Sequence, residues 1–270
     1  MKRLKIVAII GSFRKKETWK TVEYFEKLLK EKFDLDFEYI YLKEYNIQQC
    51  RGCFLCLTKG EEFCPHHDDR LLLVDKIMAA DGVIWATPNY ALQVTAVMKN
   101  FLDRIAYTFH RPCFFHKRFT CIVTQGATGG SEIVKYLRNI ALYTGYIYVP
   151  GFFVTTVTPR TPQEQKAIDK KITASVHRFA ISLKSDSSPK PSYLMVFIFR
   201  IVRSMYRATP DDSLKDVRYY RENGWFTSDY FYPVRLGIGR GIAGALADFL
   251  GKRFALKRKH DLSLTALEEK

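Results

Sequence analysis

Residues 11–18, Gly-Ser-Phe-Arg-Lys-Lys-Glu-Thr, follow the apolar run Ile6-Val7-Ala8-Ile9-Ile10 and precede a helical pattern that begins near Glu17. That order reads as a buried strand, a tight turn and a helix N-terminus, the unit from which parallel sheets are built. Gly11 permits a backbone turn that a Cβ would hinder. Ser12 and Thr18 offer hydroxyls, and Arg14, Lys15 and Lys16 offer positive charge. The first N–H groups of a helix and its dipole favour an anion at that point. Two readings follow: a cradle for a phosphate monoester, or an ordinary turn capped by Ser or Thr with solvated lysines. The turn lacks the Gly-Lys-Ser/Thr ending of a Walker loop and the three spaced glycines of a dinucleotide fingerprint.

The same rhythm continues along the chain. Lys5 to Ile10 is the first strand and Glu17 to Lys32 a helix with Trp19, Val22, Phe25, Leu28 and Leu29 on one face. Asp36 to Leu42 is the second strand. After a cysteine-rich stretch, a helix is predicted from Asp68 to Ala80, capped by Asp68 or Asp69. Strands at 82–87 and 118–124 are each followed by a helix, at 95–109 and 131–143, the latter with Ser131 as its cap. A fifth strand spans 146–157, with a kink at Gly151, and a helix starting at Pro162 runs to Lys184. Near-continuous apolar strands separated by helices predict an α/β fold: a flavodoxin-like, doubly wound, five-stranded parallel sheet over residues 1–185. In such folds ligands sit beyond the carboxyl ends of the strands. Three turns lie there, Gly11 to Thr18, Thr87 to Tyr90 and Gln125 to Gly129, and their expected convergence favours the phosphate cradle.

The formal charge of +15 favours anionic cofactors, anionic lipid surfaces or nucleic acid. No recognised nucleic-acid-reading module is present, so that partner is not expected. The start of the chain carries no signal-peptide pattern, and no apolar stretch approaches the roughly 20 residues that span a bilayer. The expected location is therefore the cytoplasm. Six cysteines in a reducing compartment read as metal ligands, redox groups or core residues rather than disulfides.

Cys50-Arg51-Gly52-Cys53-Phe54-Leu55-Cys56, with Cys64 further on, is the most specific spacing in the chain. Thiolates two residues apart can converge on one centre and a fourth can close it. A 4Fe-4S cluster, a zinc site, a redox thiol set and a loop that binds no metal all remain open. Cys113 and Cys121 lie outside the group, and Cys121, inside a strand, reads as core. His66 and His67 read as polar loop residues. Taken with Gly11-Ser12-Phe13-Arg14, Lys59-Gly60, Cys64-Pro65, Asp68-Asp69, Thr87-Pro88-Asn89-Tyr90 and Lys99 to Arg104, residues 1–185 resemble the NAD(P)H-dependent FMN reductase family of flavodoxin-like proteins. The nearest branch has a cysteine-rich loop and includes the iron–sulfur flavoproteins. Lys16 and the seven-residue gap before Cys64 depart from that pattern.

The resemblance implies FMN as cofactor. Its phosphate would be held by Ser12, Arg14 and Thr18, helped by Lys15 or Lys16. Thr87, Pro88, Asn89 and Tyr90 would line the ring, with Gln125, Gly126, Ala127 and Gly129 along its other edge. Lys99, Asp103 and Arg104 read as a helix-surface ion pair or a dimer contact, and no acid–base triad is expected, because the flavin carries the hydride chemistry. The implied activity is transfer of hydride from NADH or NADPH, through FMN, to a small acceptor (a quinone, a flavin or an aromatic compound), by a homodimer or homotetramer. An iron–sulfur electron carrier and a non-catalytic, membrane-associated flavin-binding protein are the alternatives.

Residues 186–192, polar and proline-containing, read as a linker, and 193–270 as a mainly helical extension. Its basic apolar segments, Met195 to Arg207 and Ile238 to Lys259, suit an anionic membrane surface. The aromatic stretch Tyr219 to Tyr232 reads as the core of a small helical unit or as a cover for a neighbouring subunit's flavin. Gly239-Arg240-Gly241-Ile242-Ala243-Gly244 imitates a nucleotide fingerprint, but no strand precedes it, so close helix packing is the expectation.

Overall fold

The computed structural model describes residues 3–185, 187–208 and 210–268, with side chains described as far as Asp261 in the last helix. Asp186 of the expected linker therefore lies outside the described residues. The elements run β1 (Leu4–Ile10), α1 (Glu17–Lys30), β2 (Leu35–Tyr41), α2 (Leu55–Thr58), α3 (Arg70–Ala79), β3 (Gly82–Pro88), α4 (Ala96–Arg104), β4 (Arg118–Gln125), α5 (Gly130–Tyr143), β5 (Ile147–Tyr148), β6 (Phe152–Thr155), α6 (Pro162–Lys184), α7 (Tyr193–Ala208), α8 (Lys215–Glu222) and α9 (Ile238–Glu268). They form two compact units. One holds residues 1–52 and 65–187; the other holds 53–64 and 188–270.

In the first unit every strand pairing is parallel and the order is β2-β1-β3-β4-β5, the doubly wound order expected. The fifth position is filled by two short strands rather than one. β5 pairs with Arg118 and Phe119, and β6 with Ile122 to Gln125, of the same β4. The break falls at Gly151, whose N–H donates to the Tyr148 hydroxyl. A Cβ there would sit 2.4 Å from Cys121 Sγ and 2.7 Å from Cys121 O.

Alternation in β1 sends side chains to opposite faces. Val7 and Ile9 join Trp85, Phe101, Leu137 and the helices α3, α4 and α5. Ile6, Ala8 and Ile10 join Val22, Phe25, Val176 and Phe179 of α1 and α6. Each buried Val, Ile, Leu or Phe contributes about 1.5–3 kcal/mol, so both faces hold the sheet. Cys121 is fully buried, and burial pushes its thiol up to about 12, so it is a core group as expected.

Of the two candidate caps for α3, Asp68 meets the helix start, its Oδ1 accepting from Arg70 N at 3.3 Å; Asp69 occupies the N-cap position but makes no capping hydrogen bond, and its carboxylate accepts from Asn46 N. Ser131 lies inside α5, which begins at Gly130 behind Gly129 at φ +92. The cap comes from Gln125, whose Oε1 accepts from Gly130 N at 2.6 Å.

The second unit has an aromatic core. Phe199 of α7 lies among Tyr220, Trp225, Tyr230 and Phe231, with ring centroids 4.5–6.4 Å away, and Trp225 Nε1 donates to Phe231 O. Helix α8, which the sequence pattern did not announce, runs into the start of the aromatic stretch and ends at Glu222. Within this unit Arg218 donates to Lys59 O, and Lys215 pairs with Glu62 of the cysteine-loop segment. Between α7 and α9, Asp248 accepts from Arg200, Arg203 and Ser204. Burial raises its carboxyl, but those three donors and the Arg203 charge outweigh burial and hold it below the usual range. The fingerprint-like glycines lie inside α9, with no strand before them, as expected of close helix packing.

Gly151→Ala should lower stability by roughly 1–3 kcal/mol, because the new methyl meets backbone that cannot swing away; urea unfolding measures it. Asp248 is lowered, so its contribution is present above the ordinary aspartate pKa of about 4 and is lost as pH falls below it. Urea midpoints taken from neutral to acid pH should therefore fall less steeply in Asp248→Asn than in the parent.

Candidate active site

The three turns meet at the carboxyl edge of the sheet, and hydrogen bonds name how. Gly11 N donates to Ala86 O at 2.8 Å. Its carbonyl accepts from Thr95 Oγ1 at 2.6 Å, and the same Thr95 caps α4 by accepting from Met98 N. A Cβ on Gly11 would lie 2.8 Å from Met98 Cβ, so only glycine lets α4 approach here. Ser12 is buried; its hydroxyl accepts from Arg14 N and donates to Arg14 O, closing the turn. Arg14 and Lys16 are exposed, and Lys15 Nζ lies 4.9 Å from the Trp19 ring and 5.1 Å from that of Tyr41. Helix α1 starts behind Lys16 with no side-chain cap. Its first-turn N–H groups thus keep their capacity for an outside acceptor.

Thr18 Oγ1 and Thr124 Oγ1 share a buried 2.7 Å hydrogen bond, joining the first turn to the end of β4. Asn89 N donates to Thr124 O at 2.7 Å, and Asn89 Nδ2 to Thr128 O at 2.6 Å, joining the second turn to the third. Asn89 Oδ1 is buried with no hydrogen-bond partner among the described residues. Thr87 is buried; its hydroxyl donates to Pro88 O and accepts from Thr95 N. Beyond Pro88, Tyr90 and Gln93 exchange backbone hydrogen bonds around Ala91 and Leu92, both at positive φ. Such a turn normally uses Asn-Gly. Here it carries strain and presents Tyr90 and Leu92 to solvent.

Gln125 is buried and serves the loop itself, with Nε2 donating to Ala127 O and Thr155 Oγ1. That holds Gly126 and Ala127 outward, and the space where a Gly126 Cβ would point is open. Thr95 and Thr124 are the residues missed by sequence reasoning. Their signal was readable: each is a threonine beside an expected turn, at the start of a helix or the end of a strand.

The foot of the cysteine stretch is clamped to α4. Asp68 accepts two hydrogen bonds of 2.9 Å from Arg104 Nη2, with both side chains almost wholly buried. Asp68 also accepts from Gln48 N, and Asn100 Nδ2 donates to Ile47 O. Arg104 is therefore not at the helix surface as expected. Lys99 and Asp103 are, and the hydrogen bond from Lys99 to Asp103 raises the lysine pKa. His67 is exposed; His66 is buried, with Nδ1 2.8 Å from Gln48 Oε1. Cys50 and Cys53 are exposed, and Cys56 and Cys64 are half-buried. Among the described residues no three His, Cys, Asp or Glu side chains gather as a metal-holding group.

The edge offers uncapped helix N–H groups, three cations, a buried unpartnered amide oxygen and an exposed, partly glycine-lined loop. That donor set fits a phosphate monoester joined to a flat, polar-edged ring.

The family model for NADPH-dependent FMN reductase matches residues 4–158, more than half of the chain. An iron–sulfur flavoprotein of Archaeoglobus fulgidus is 35% identical over 148 residues, covering 54% of this chain and 72% of that one. An iron–sulfur flavoprotein of Clostridioides difficile is 25% identical over 219 residues, covering 80% and 94%. The apo crystal structure of an NADH:FMN oxidoreductase is similar in fold, with TM-score 0.51 and 22% identity over 68% of this chain and 91% of that one.

Breaking the buried pair by Arg104→Met should cost about 3–5 kcal/mol, since Asp68 stays buried without its cation. Asp68→Asn with Arg104→Met should cost less than the sum of the single changes in a denaturation double-mutant cycle.

Proposed function

This chain belongs to the NADPH-dependent FMN reductase family, and from that premise we propose that it is an FMN-bound oxidoreductase drawing on NADH or NADPH and serving a small acceptor: a quinone, a flavin or an aromatic compound. Bound FMN supplies the hydride chemistry. The chain's own residues bind and orient. The first-turn N–H groups of α1, with Arg14 and Lys16, would hold the phosphate. Ser12 and Thr18 would fix the turn that aims those donors, Ser12 by closing it and Thr18 by tying it to Thr124. Asn89 Oδ1 and the outward backbone of Gly126 and Ala127 would meet the polar edges of the ring, with Thr87 and Pro88 as its floor and Tyr90 at its open side. Gln125 and Gly129 would position the loop rather than touch the ring. The observation that carries this reading is the joining of all three turns through Thr124 and Asn89 beside an uncapped α1.

We read the protein as cytoplasmic and at least a homodimer; sedimentation velocity checks the second point. The second reading, an iron–sulfur electron carrier, is favoured by the name of the relatives and by Cys50, Cys53, Cys56 and Cys64.

An anaerobic visible spectrum with iron, sulfide and NAD(P)H-oxidation assays on one sample separates the readings. A two-banded flavin spectrum without iron, and turnover with a quinone, is the expected result. About four irons per chain would make it an electron carrier, and no FMN uptake would overturn both readings. Arg14→Ala should weaken FMN about tenfold, the size of one charge-assisted hydrogen bond, while leaving riboflavin binding unchanged. Equal losses for both ligands, read by flavin fluorescence quenching, would remove Arg14 from the phosphate.

A further inference from the structure

Helix α9 has two unlike faces. Gly244, Ala247, Gly251 and Ala255 are buried and recur at three- and four-residue spacing. This small-residue stripe lets α9 lie close on α7: a Cβ on Gly251 would sit 2.5 Å from Ile201 O, and one on Gly244 would sit 3.4 Å from Arg200 Cγ. The opposite face carries Ile238, Ile242, Leu246, Phe249 and Leu250, at helical spacing and exposed, Ile238 at 87% and Phe249 at 61%. Phe254 and Leu256 extend it. A soluble helix normally turns such a row toward a core. Here the row is exposed, and the side facing α7 is glycine and alanine around the paired Asp248.

Charge identifies the occupant. From Ile238 to His260 the helix has six cations, Arg240, Lys252, Arg253, Lys257, Arg258 and Lys259, and one acid, Asp248. That acid is already paired with Arg200 and Arg203. Lys252, Arg253 and Lys257 are exposed; Lys252 flanks the apolar row, and Arg253 and Lys257 continue its face beyond Phe249, where their stems can lie along it and their heads reach outward. A second copy docked on this face would set the same basic segment, Lys252 to Lys259, against itself, and like charges repel. An anionic lipid surface offers apolar depth for the row and opposite charge for the heads. Among the described residues no helix is long and apolar enough to cross a membrane. We propose that the exposed face of α9 lies in the interface of an anionic bilayer and anchors the protein there as a peripheral protein. The proposal does not depend on the flavin reading, since binding is read without substrate or cofactor.

The test is cosedimentation of the full-length chain with phosphatidylcholine vesicles, with and without phosphatidylserine, at low and high salt. Binding to the anionic vesicles alone, released by salt, is the expected result. Lys252→Glu with Arg253→Glu and Lys257→Glu should weaken it about a hundredfold or more, and Phe249→Asp should abolish it. Circular dichroism melts check that both variants fold; if Phe249→Asp does not, the charge variant decides. Absence of binding to anionic vesicles at low salt overturns the proposal, as does equal binding to both lipids. Self-association that Phe249→Asp abolishes, without vesicle binding, also overturns it by making the face a contact between copies.

Discussion

The hydrogen bond from Thr95 Oγ1 to the Gly11 carbonyl is the joint on which the carboxyl edge depends. It forms because Gly11 has no side chain, so α4 can start almost on top of the end of β1. The same hydroxyl caps α4, and the Thr95 N–H goes to Thr87 at the end of β3. One threonine thus sets the separation of two strand ends and the direction of a helix. The Thr18–Thr124 bond does the same from the other side, between α1 and β4. Rigid anchoring of this kind lets the intervening turns present backbone N–H groups and cations without collapsing onto one another.

The sheet order and the meeting of the three turns were legible in the sequence because apolar strands and helical periodicity are strong local signals. Gly11 read correctly for the same reason: its role is local backbone freedom plus a close approach. What was not legible depends on partners distant in sequence. Gln125 looks like a ligand residue at a strand end, yet its amide is committed to Ala127, Thr155 and Gly130. Arg104 looks like a surface helix residue, but Asp68, far away in the chain, draws it inward. The strand break at Gly151 was visible as a kink, but the reason only glycine fits there, the close approach of Cys121 on the neighbouring strand, was not.

The cysteines show the limit of spacing as evidence. Their pattern specifies what they could hold, whereas the structure specifies what holds them: residues 46–48 and 66–69 are fixed to each other and to α4 by carboxylates and amides. The loop is therefore anchored at its foot independently of any metal.

The grouping of residues 53–64 with 188–270 has a consequence for how the chain is made. A ribosome releases the cysteine segment early, but Arg218 and Lys215, which it meets within its own unit, emerge only after the whole sheet has been synthesised. The first unit can close around its two hydrophobic faces while this segment still waits, tethered at both ends. The extension after Lys184 is accordingly not a tail added to a finished domain. It is the larger part of a unit whose smaller part, residues 53–64, lies within the sheet's own sequence, so a chain cut at the apparent boundary would leave that segment with no mate.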